Sequence, residues 1–376
     1  MKIVLAPDSF KGSLSSNEVS QVMERAIKDV DPTYTVVSKP MADGGEGTIE
    51  AMLTSSKGGK VNVQCTGPLG EHIKSSYILF ESNEAVIELA EIAGVTLVPT
   101  SKRDPDYTTT YGLGEVILDA IDRGARSIMI GLGGSATNDG GLGMLIALGM
   151  KAWDKDGQPL SGYGSDLHHV HSISFHHMDK RLKDIDIKVA CDVTNPLCGE
   201  HGASAVFGPQ KGATDQQVKQ YDQSLHRYAK IIEDNFGQSH QNIPGAGAAG
   251  GLGFALLAIG GQLESGAQLI GEAIHLEKEI READVVITGE GQSDEQTLYG
   301  KAPGYVASIA NKHRVPVVLL SGSLSTDQKS LNDVFTSCFS IVNRPLSLEE
   351  SMNEVEDLLY EQTKQIIKLV GAFIER

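Results

Sequence analysis

Five loops of this chain combine glycine with Asp, Asn, Ser or Lys in ways that suit an anionic or metal-bearing ligand. Pro7–Ser13, reading PDSFKGS, sets Asp8 and Lys11 just ahead of a helix start. Free N–H groups and the helix dipole favour an anion there, and a lysine adds a point charge. Met41–Gly47, MADGGEG, offers Asp43, Gly44 and Glu46. These give either a close backbone approach to a ligand beside a carboxylate, or a turn leading into the acidic first turn of a helix. Gly131–Gly143, GLGGSATNDGGLG, is the richest loop. Gly133, Gly134 and Ser135 can form a nest of N–H donors for phosphate, while Asn138 and Asp139 orient a ligand or cap the next helix. Asp192, Thr194 and Asn195 stand directly after an apolar run. An Asp so placed is a metal-binding or proton-accepting carboxylate, or the head of an Asx-turn. Gly289–Thr297 with Gly300 and Lys301 supplies Glu290, Asp294, Gln296 and Lys301. Mg²⁺ is usually held by one or two carboxylates plus substrate phosphates, which this loop can provide.

Three other patterns point elsewhere and fail on context. Gly245–Gly250 satisfies GxGxxG, but Asn242-Ile-Pro precedes it where a dinucleotide fingerprint needs a strand. Asp166–His177 carries His168, His169, His171, His176 and His177, yet no Cys or His cluster stands nearby to complete a zinc site. No GxxxxGK[ST] exists, because Gly300-Lys301 is followed by Ala302. If the chain transfers phosphate, it does so without a P-loop.

The elements that position these loops repeat one unit: a short apolar strand, a Gly-rich polar loop, then an amphipathic helix. Lys2–Ala6 is the first strand, and Ser15 with Glu18 reads as a capping box opening a helix. Val19, Val22, Met23, Ala26, Ile27 and Val30 follow at helical spacing. Strands at 35–38, 127–130, 187–191, 284–288 and 317–320 precede the other loops. Such alternation predicts an α/β protein with a parallel sheet. Lys60–Cys65 and Ile73–Leu89 hold closely spaced strands without a helix between them, which predicts an antiparallel or mixed insertion. Helices are expected at 215–236, boxed by Thr214 and Gln217 and stopped by Gly237, and at 347–374, boxed by Ser347 and Glu350. The polar loops fall repeatedly on the C-terminal side of strands, the side that carries the ligand crevice of open α/β sheets.

At 376 residues the chain has room for about two domains. Its net charge of −17 argues against a nucleic-acid partner, whose phosphates need a surplus of Lys and Arg. An anionic substrate would then depend on local donors such as those above. Cys65, Cys191, Cys198 and Cys338 lack CxxC spacing, which suits a reducing compartment. The apolar run behind Met1 is too short for a signal-peptide core, and Leu252–Ile259 is far shorter than the ~20 residues that span a bilayer. The chain therefore reads as cytoplasmic, with no membrane partner.

At these loops the chain closely resembles the class I, bacterial-type glycerate kinase family. The matching segments are Ala6–Ser15 (APDSFKGSLS), Met41–Thr48 (MADGGEGT), Gly131–Gly141 (GLGGSATNDGG) and Ala190–Gly199 (ACDVTNPLCG). Phe207–Ala213 (FGPQKGA), Gly245–Gly253 (GAGAAGGLG), Thr288–Thr297 (TGEGQSDEQT) and Gly300–Gly304 (GKAPG) continue the series in order. The resemblance implies ATP-dependent phosphorylation of D-glycerate with Mg²⁺, by in-line transfer in an interdomain cleft. It favours 2-phosphoglycerate over 3-phosphoglycerate as product, and a monomer or homodimer. It also implies a flavodoxin-like parallel-sheet domain built from residues 1–66 and 283–376, with a second, mixed-sheet α/β domain at 67–282 inserted between. On that view Lys11 and Gly133–Ser135 hold phosphates, and Glu290 with Asp294 holds the metal. Asp192 sits by the glycerate hydroxyl, with Asp8 and Lys11 as further catalytic groups. Asp43, Gly44, Asn138, Asp139, Asn195 and Lys301 complete the substrate and phosphate contacts. Two other classes stay open: a nucleotide-dependent oxidoreductase resting on Gly245–Gly250, and a non-catalytic sensor of a small organic acid that binds glycerate without turning ATP over.

Overall fold

The computed structural model of this chain describes residues 1–42, 48–49, 52 and 58–374. These divide into two compact units, residues 1–42, 52 and 265–374 in one, and 48–49 and 58–264 in the other. The loop carrying Asp43, Gly44 and Glu46 lies outside the described residues.

In the first unit, β1 (Lys2–Leu5) leads into α1 (Ser16–Val30) and β2 (Thr35–Ser38). The predicted capping box opens α1: Ser15 Oγ accepts from the Glu18 N–H, and the Glu18 carboxylate accepts from the Ser15 N–H at 2.8 Å. Val19, Val22, Met23, Ala26 and Ile27 are the buried face of that helix, as their spacing requires.

The second unit's sheet begins with a hairpin of two nine-residue strands, β3 (Gly58–Thr66) and β4 (His72–Phe80), paired antiparallel from Gly58↔Phe80 to Thr66↔His72. β5 (Glu84–Glu88) pairs antiparallel with β4, and α2 (Tyr111–Asp122) follows. β6 (Ser127–Gly131), α3 (Leu142–Ala147), β7 (Asp186–Ala190), α4 (Asp215–Phe236), α5 (Ala248–Ala258) and β8 (Gln262–Glu264) complete the unit. The sheet order is β8-β7-β6-β5-β4-β3, parallel from β5 to β8 and antiparallel beyond, which makes it the expected mixed sheet. Thr214 and Gln217 box the start of α4, and Gly237 ends it in the left-handed region at φ 69°. One core of Ile, Leu, Val, Ala and Met side chains fills the space between this sheet and its helices.

The chain then returns to the first unit through helices Gly266–Ala273 and Leu276–Arg281, β9 (Val285–Thr288), α6 (Ala302–His313), β10 (Val317–Ser321), β11 (Ser337–Ser340) and α7 (Val355–Ile374). All five strands of this sheet are parallel, in the order β11-β10-β9-β1-β2. Numbered within the unit and read from the β2 edge, that is 2-1-3-4-5, the flavodoxin-like order. Helices α1 and α7 cover one face of the sheet, and α6 with the 266–281 helices covers the other. Ile3, Val4 and Leu5 in β1 are fully buried, each contributing about 1.5–3 kcal/mol of hydrophobic stabilisation.

The unit boundaries differ from those expected at residues 66 and 283. β3 pairs along its whole length with β4, so the second unit begins ahead of Gly58. Ala267, Ile270, Leu276 and Ile280 are buried in the first unit's core, so the return begins at Ser265. The helix expected over 347–374 is broken at Glu354 into Leu348–Asn353 and α7.

Candidate functional site

The first unit has a cavity of about 900 Å³ at the C-terminal ends of its parallel strands. Asp8, Lys11, Glu290, Asp294 and Lys301, five of the sequence-predicted site residues, all line it. Their loops are held together by an extension of the β1/β9 pairing. Ala6 N–H donates to Ile287 O at 2.9 Å, Asp8 N–H to Gly289 O at 2.8 Å, and Thr288 Oγ1 to Ala6 O at 2.7 Å. Gly289 is required where it stands: a Cβ there would lie 1.8 Å from Leu320 O. Asp8 is buried, and its Oδ1 accepts from the Ser9 N–H at 2.6 Å.

Both oxygens of Glu290 face polar or charged partners. Its Oε1 accepts from Thr297 Oγ1 at 2.6 Å and from Ser293 Oγ at 3.0 Å, and Ser293 Oγ is 2.7 Å from Ser321 Oγ. The other oxygen, Oε2, faces Lys301 Nζ at 3.7 Å. Asp294 caps the short 3₁₀ turn Glu295–Leu298, its Oδ1 accepting from Gln296 N–H at 2.8 Å. Lys301 is the N-cap residue of α6, and Pro303 lies in that helix's first turn. Sequence reasoning passed over Ser293, Thr297 and Ser321. Two of them stand three and seven residues after Glu290, but a hydroxyl in a Gly-rich loop carries no signal until the fold brings it to a carboxylate.

Among the described residues no three His, Cys, Asp or Glu side chains come together to hold a metal. Glu290 and Asp294 remain as two hard-oxygen donors on one cavity wall, each with one oxygen engaged by hydroxyl or N–H groups. That set fits Mg²⁺ completed by phosphate oxygens and water, and does not fit zinc.

The remaining predicted residues belong to the second unit. Gly134 is left-handed at φ 69°, and among the described residues the N–H groups of Gly133, Gly134 and Ser135 meet no backbone acceptor. Val95 N–H to Gly134 O and Ala136 N–H to Ala93 O, both 2.8 Å, fix this stretch. It therefore has the makings of the anion nest. Asp139 is engaged by donors of its own unit. It is fully buried, and its carboxylate accepts from Thr110 N–H and Oγ1 at 2.8 and 2.7 Å and from Gly141 and Gly143 N–H at 3.1 and 3.2 Å. Burial pushes its carboxyl up, while these four donors favour the anion. Asn138 is also buried, its Nδ2 donating to Ser204 Oγ at 3.0 Å, and Asn195 Nδ2 donates to His201 O at 2.8 Å. All three engage groups of their own unit, and Asn138 Oδ1 is buried with no hydrogen-bond partner among the described residues. Asp192 follows β7 and is half-buried.

One residue without an expected role stands beneath the Gly-rich loop. Lys211 is 2% exposed and its Nζ donates to Thr137 O at 2.6 Å. Burial pushes its ammonium down to about 7, with the Asp139 charge opposing. The GxGxxG stretch packs on the same loop: Gly140 N–H donates to Gly250 O at 2.9 Å, and a Cβ on Gly250 would lie 2.2 Å from Thr137 O. Its glycines serve close backbone packing, and residues 237–244 ahead of it hold no strand. In the His-rich run, His168 Nδ1 lies 2.9 Å from Ser224 Oγ and its ring sits 4.8 Å from that of Tyr221, a packing role.

Comparison with known proteins agrees with this geometry. The model of the glycerate kinase family matches residues 3–371. The glycerate 2-kinase of Escherichia coli K12 is 46% identical over 348 residues, covering 91% of each chain. The glycerate kinase of Haemophilus influenzae is 43% identical over 99% of each. A crystal structure from Salmonella typhimurium LT2, provisionally assigned as glycerate kinase 2, superposes with a TM-score of 0.89 at 42% identity over the whole of both chains. This chain is thus an enzyme of the glycerate kinase family.

Proposed function

We propose that this enzyme phosphorylates D-glycerate from ATP with Mg²⁺, at the 2-hydroxyl. The observation that carries the reading is the convergence of two lysines and three carboxylates on one cavity at the strand ends of a flavodoxin-like sheet, in a chain of this family. Phosphoryl transfer asks for positioning and charge neutralisation more than for covalent chemistry. Lys11 and Lys301 offset the negative charge of the triphosphate, which a protein of net charge −17 would otherwise repel. Glu290, held by Ser293 and Thr297, would hold Mg²⁺ together with Asp294. The metal, when bound, adds charge neutralisation at the phosphate oxygens. In the second unit the Gly133–Ser135 N–H groups hold an anionic oxygen, and Asp192 orients the glycerate hydroxyl. That oxygen attacks the γ-phosphorus, the bond to the β-phosphate oxygen breaks, ADP departs, and the hydroxyl proton passes to Asp192.

The 2-position is favoured by the likeness to a relative named glycerate 2-kinase. Four free thiols support a reducing, cytoplasmic setting, and no helix among the described residues is long and apolar enough to cross a membrane. A coupled assay of ADP release tests the activity. Turnover is expected only with D-glycerate and ATP together, and excess EDTA should abolish it. A ³¹P spectrum of the product should show 2-phosphoglycerate. ADP release that ignores D-glycerate would remove the kinase reading, and 3-phosphoglycerate would remove the positional one.

A further inference from the structure

The cavity of the first unit has two kinds of wall. Its charged residues come from the loops after β1 and β9, neighbours in the sheet. Its apolar residues come from farther along: Leu324 after β10, Ile341, Val342 and Leu346 after β11, and Met352 and Val355 around the break before α7. β11 lies three strand spacings from β1, roughly 14 Å across the sheet. One cavity thus runs from a cluster of lysines and carboxylates to an apolar wall. Ile341 and Val355 are buried, while Met352 is 36% exposed and the neighbouring Leu348, also on the cavity wall, is 78% exposed. Gln328, half-buried on the same wall, brings an amide that both donates and accepts.

A cavity of about 900 Å³ is of small-molecule size, and its walls suit a ligand whose charged end is met by lysines and by a cation on the carboxylates, and whose other end is apolar. We infer that the apolar wall is the purine subsite of the nucleotide. The base lies against Ile341, Val342, Leu346 and Leu324, Met352 closes over it, and Gln328 meets its polar edge. The flexible thioether of Met352 suits a base that must enter and leave. This inference rests on the proposal that the lysine and carboxylate end takes the phosphates of ATP.

The test compares ADP with inorganic tripolyphosphate, which carries the charge and lacks the base. Titration calorimetry on the full-length protein and its Met352→Ser and Leu346→Ser variants should show ADP binding weakened about tenfold or more. Tripolyphosphate binding should stay within about twofold. Equal affinities of wild type and both variants for ADP would overturn the subsite. A variant that fails to fold leaves a second measurement on the wild type: adenosine, uncharged, should shift the ¹³C-methyl resonance of Met352, and no shift at saturating adenosine would overturn it equally. If ADP binds as described while no phosphoglycerate forms, the activity reading fails and the purine subsite stands.

Discussion

Two aspartates after two strands of the same sheet carry opposite expectations. Asp139 is enclosed by four donors from Thr110, Gly141 and Gly143. Asp139→Asn would turn an NH₂ toward donors, leaving at least one buried N–H or hydroxyl unsatisfied at about 1–3 kcal/mol each. A lowered urea midpoint is expected, with KM values unchanged in whatever fraction folds. Asp192 has the opposite expectation. Asp192→Asn keeps size and hydrogen bonding but removes the charge, and a proton acceptor is worth typically about 10²–10⁴ in rate. Because a loose phosphoryl-transfer transition state asks little of a base, kcat should fall by at least about tenfold with the urea midpoint retained. A steady kcat with a lowered midpoint would make Asp192 a turn former. The sequence could not separate the two, since both are Asp in a polar loop that follows a strand. Burial is settled by Thr110, 29 residues before Asp139 in the chain.

Elements were more readable than single residues wherever the signal was local. Capping boxes at Ser15, Thr214 and Ser347, and the Gly237 stop, stand where the sequence puts them, because each is a contact within four residues. The 266–281 helices escaped notice because two short helices, of 8 and 6 residues, give the apolar period too few repeats to register. The loop around Glu290 was recognised by its carboxylates, yet what aims Glu290 is the hydroxyl set beside it. Thr297→Val should remove the 2.6 Å bond to Glu290 Oε1 and free that carboxylate to turn. The Mg²⁺ concentration for half-maximal rate should rise several-fold with little change in the KM for D-glycerate. An unaltered Mg²⁺ dependence would show that Ser293 alone suffices. The Gly-rich loop of the second unit depends in turn on Gly250, left-handed at φ 70° and pressed against Thr137 O. Gly250→Ala forces both strain and a clash, so it should destabilise that unit by more than the roughly 1–3 kcal/mol of an ordinary strained backbone position.

Over the whole molecule, the buried titratable groups predict a stability optimum on the alkaline side of neutrality. Lys211 titrates near 7 in the fold, against an ordinary value of 10.5. Between those values the unfolded chain holds the proton that the folded chain has released, so stability rises with pH, by up to about 1.4 kcal/mol per unit. The thiols act in the other direction. Burial raises Cys191 and Cys338 to about 11, and Cys65 and Cys198 to about 12, from an ordinary 9.0. Above pH 9 the folded chain keeps protons that the unfolded chain gives up, and stability falls. His168, which burial pushes below its ordinary 6.5, completes its titration on the acid side and does not enter this window. The urea midpoint should therefore climb from pH 7 to about 8.5 and decline beyond about 9.5. Lys211→Met should abolish the climb and leave the decline, since the thiols are untouched. A climb that survives in Lys211→Met would place its origin elsewhere. A flat wild-type profile over the same range would mean that the Lys211 ammonium remains protonated beneath Thr137, its charge balanced by Asp139.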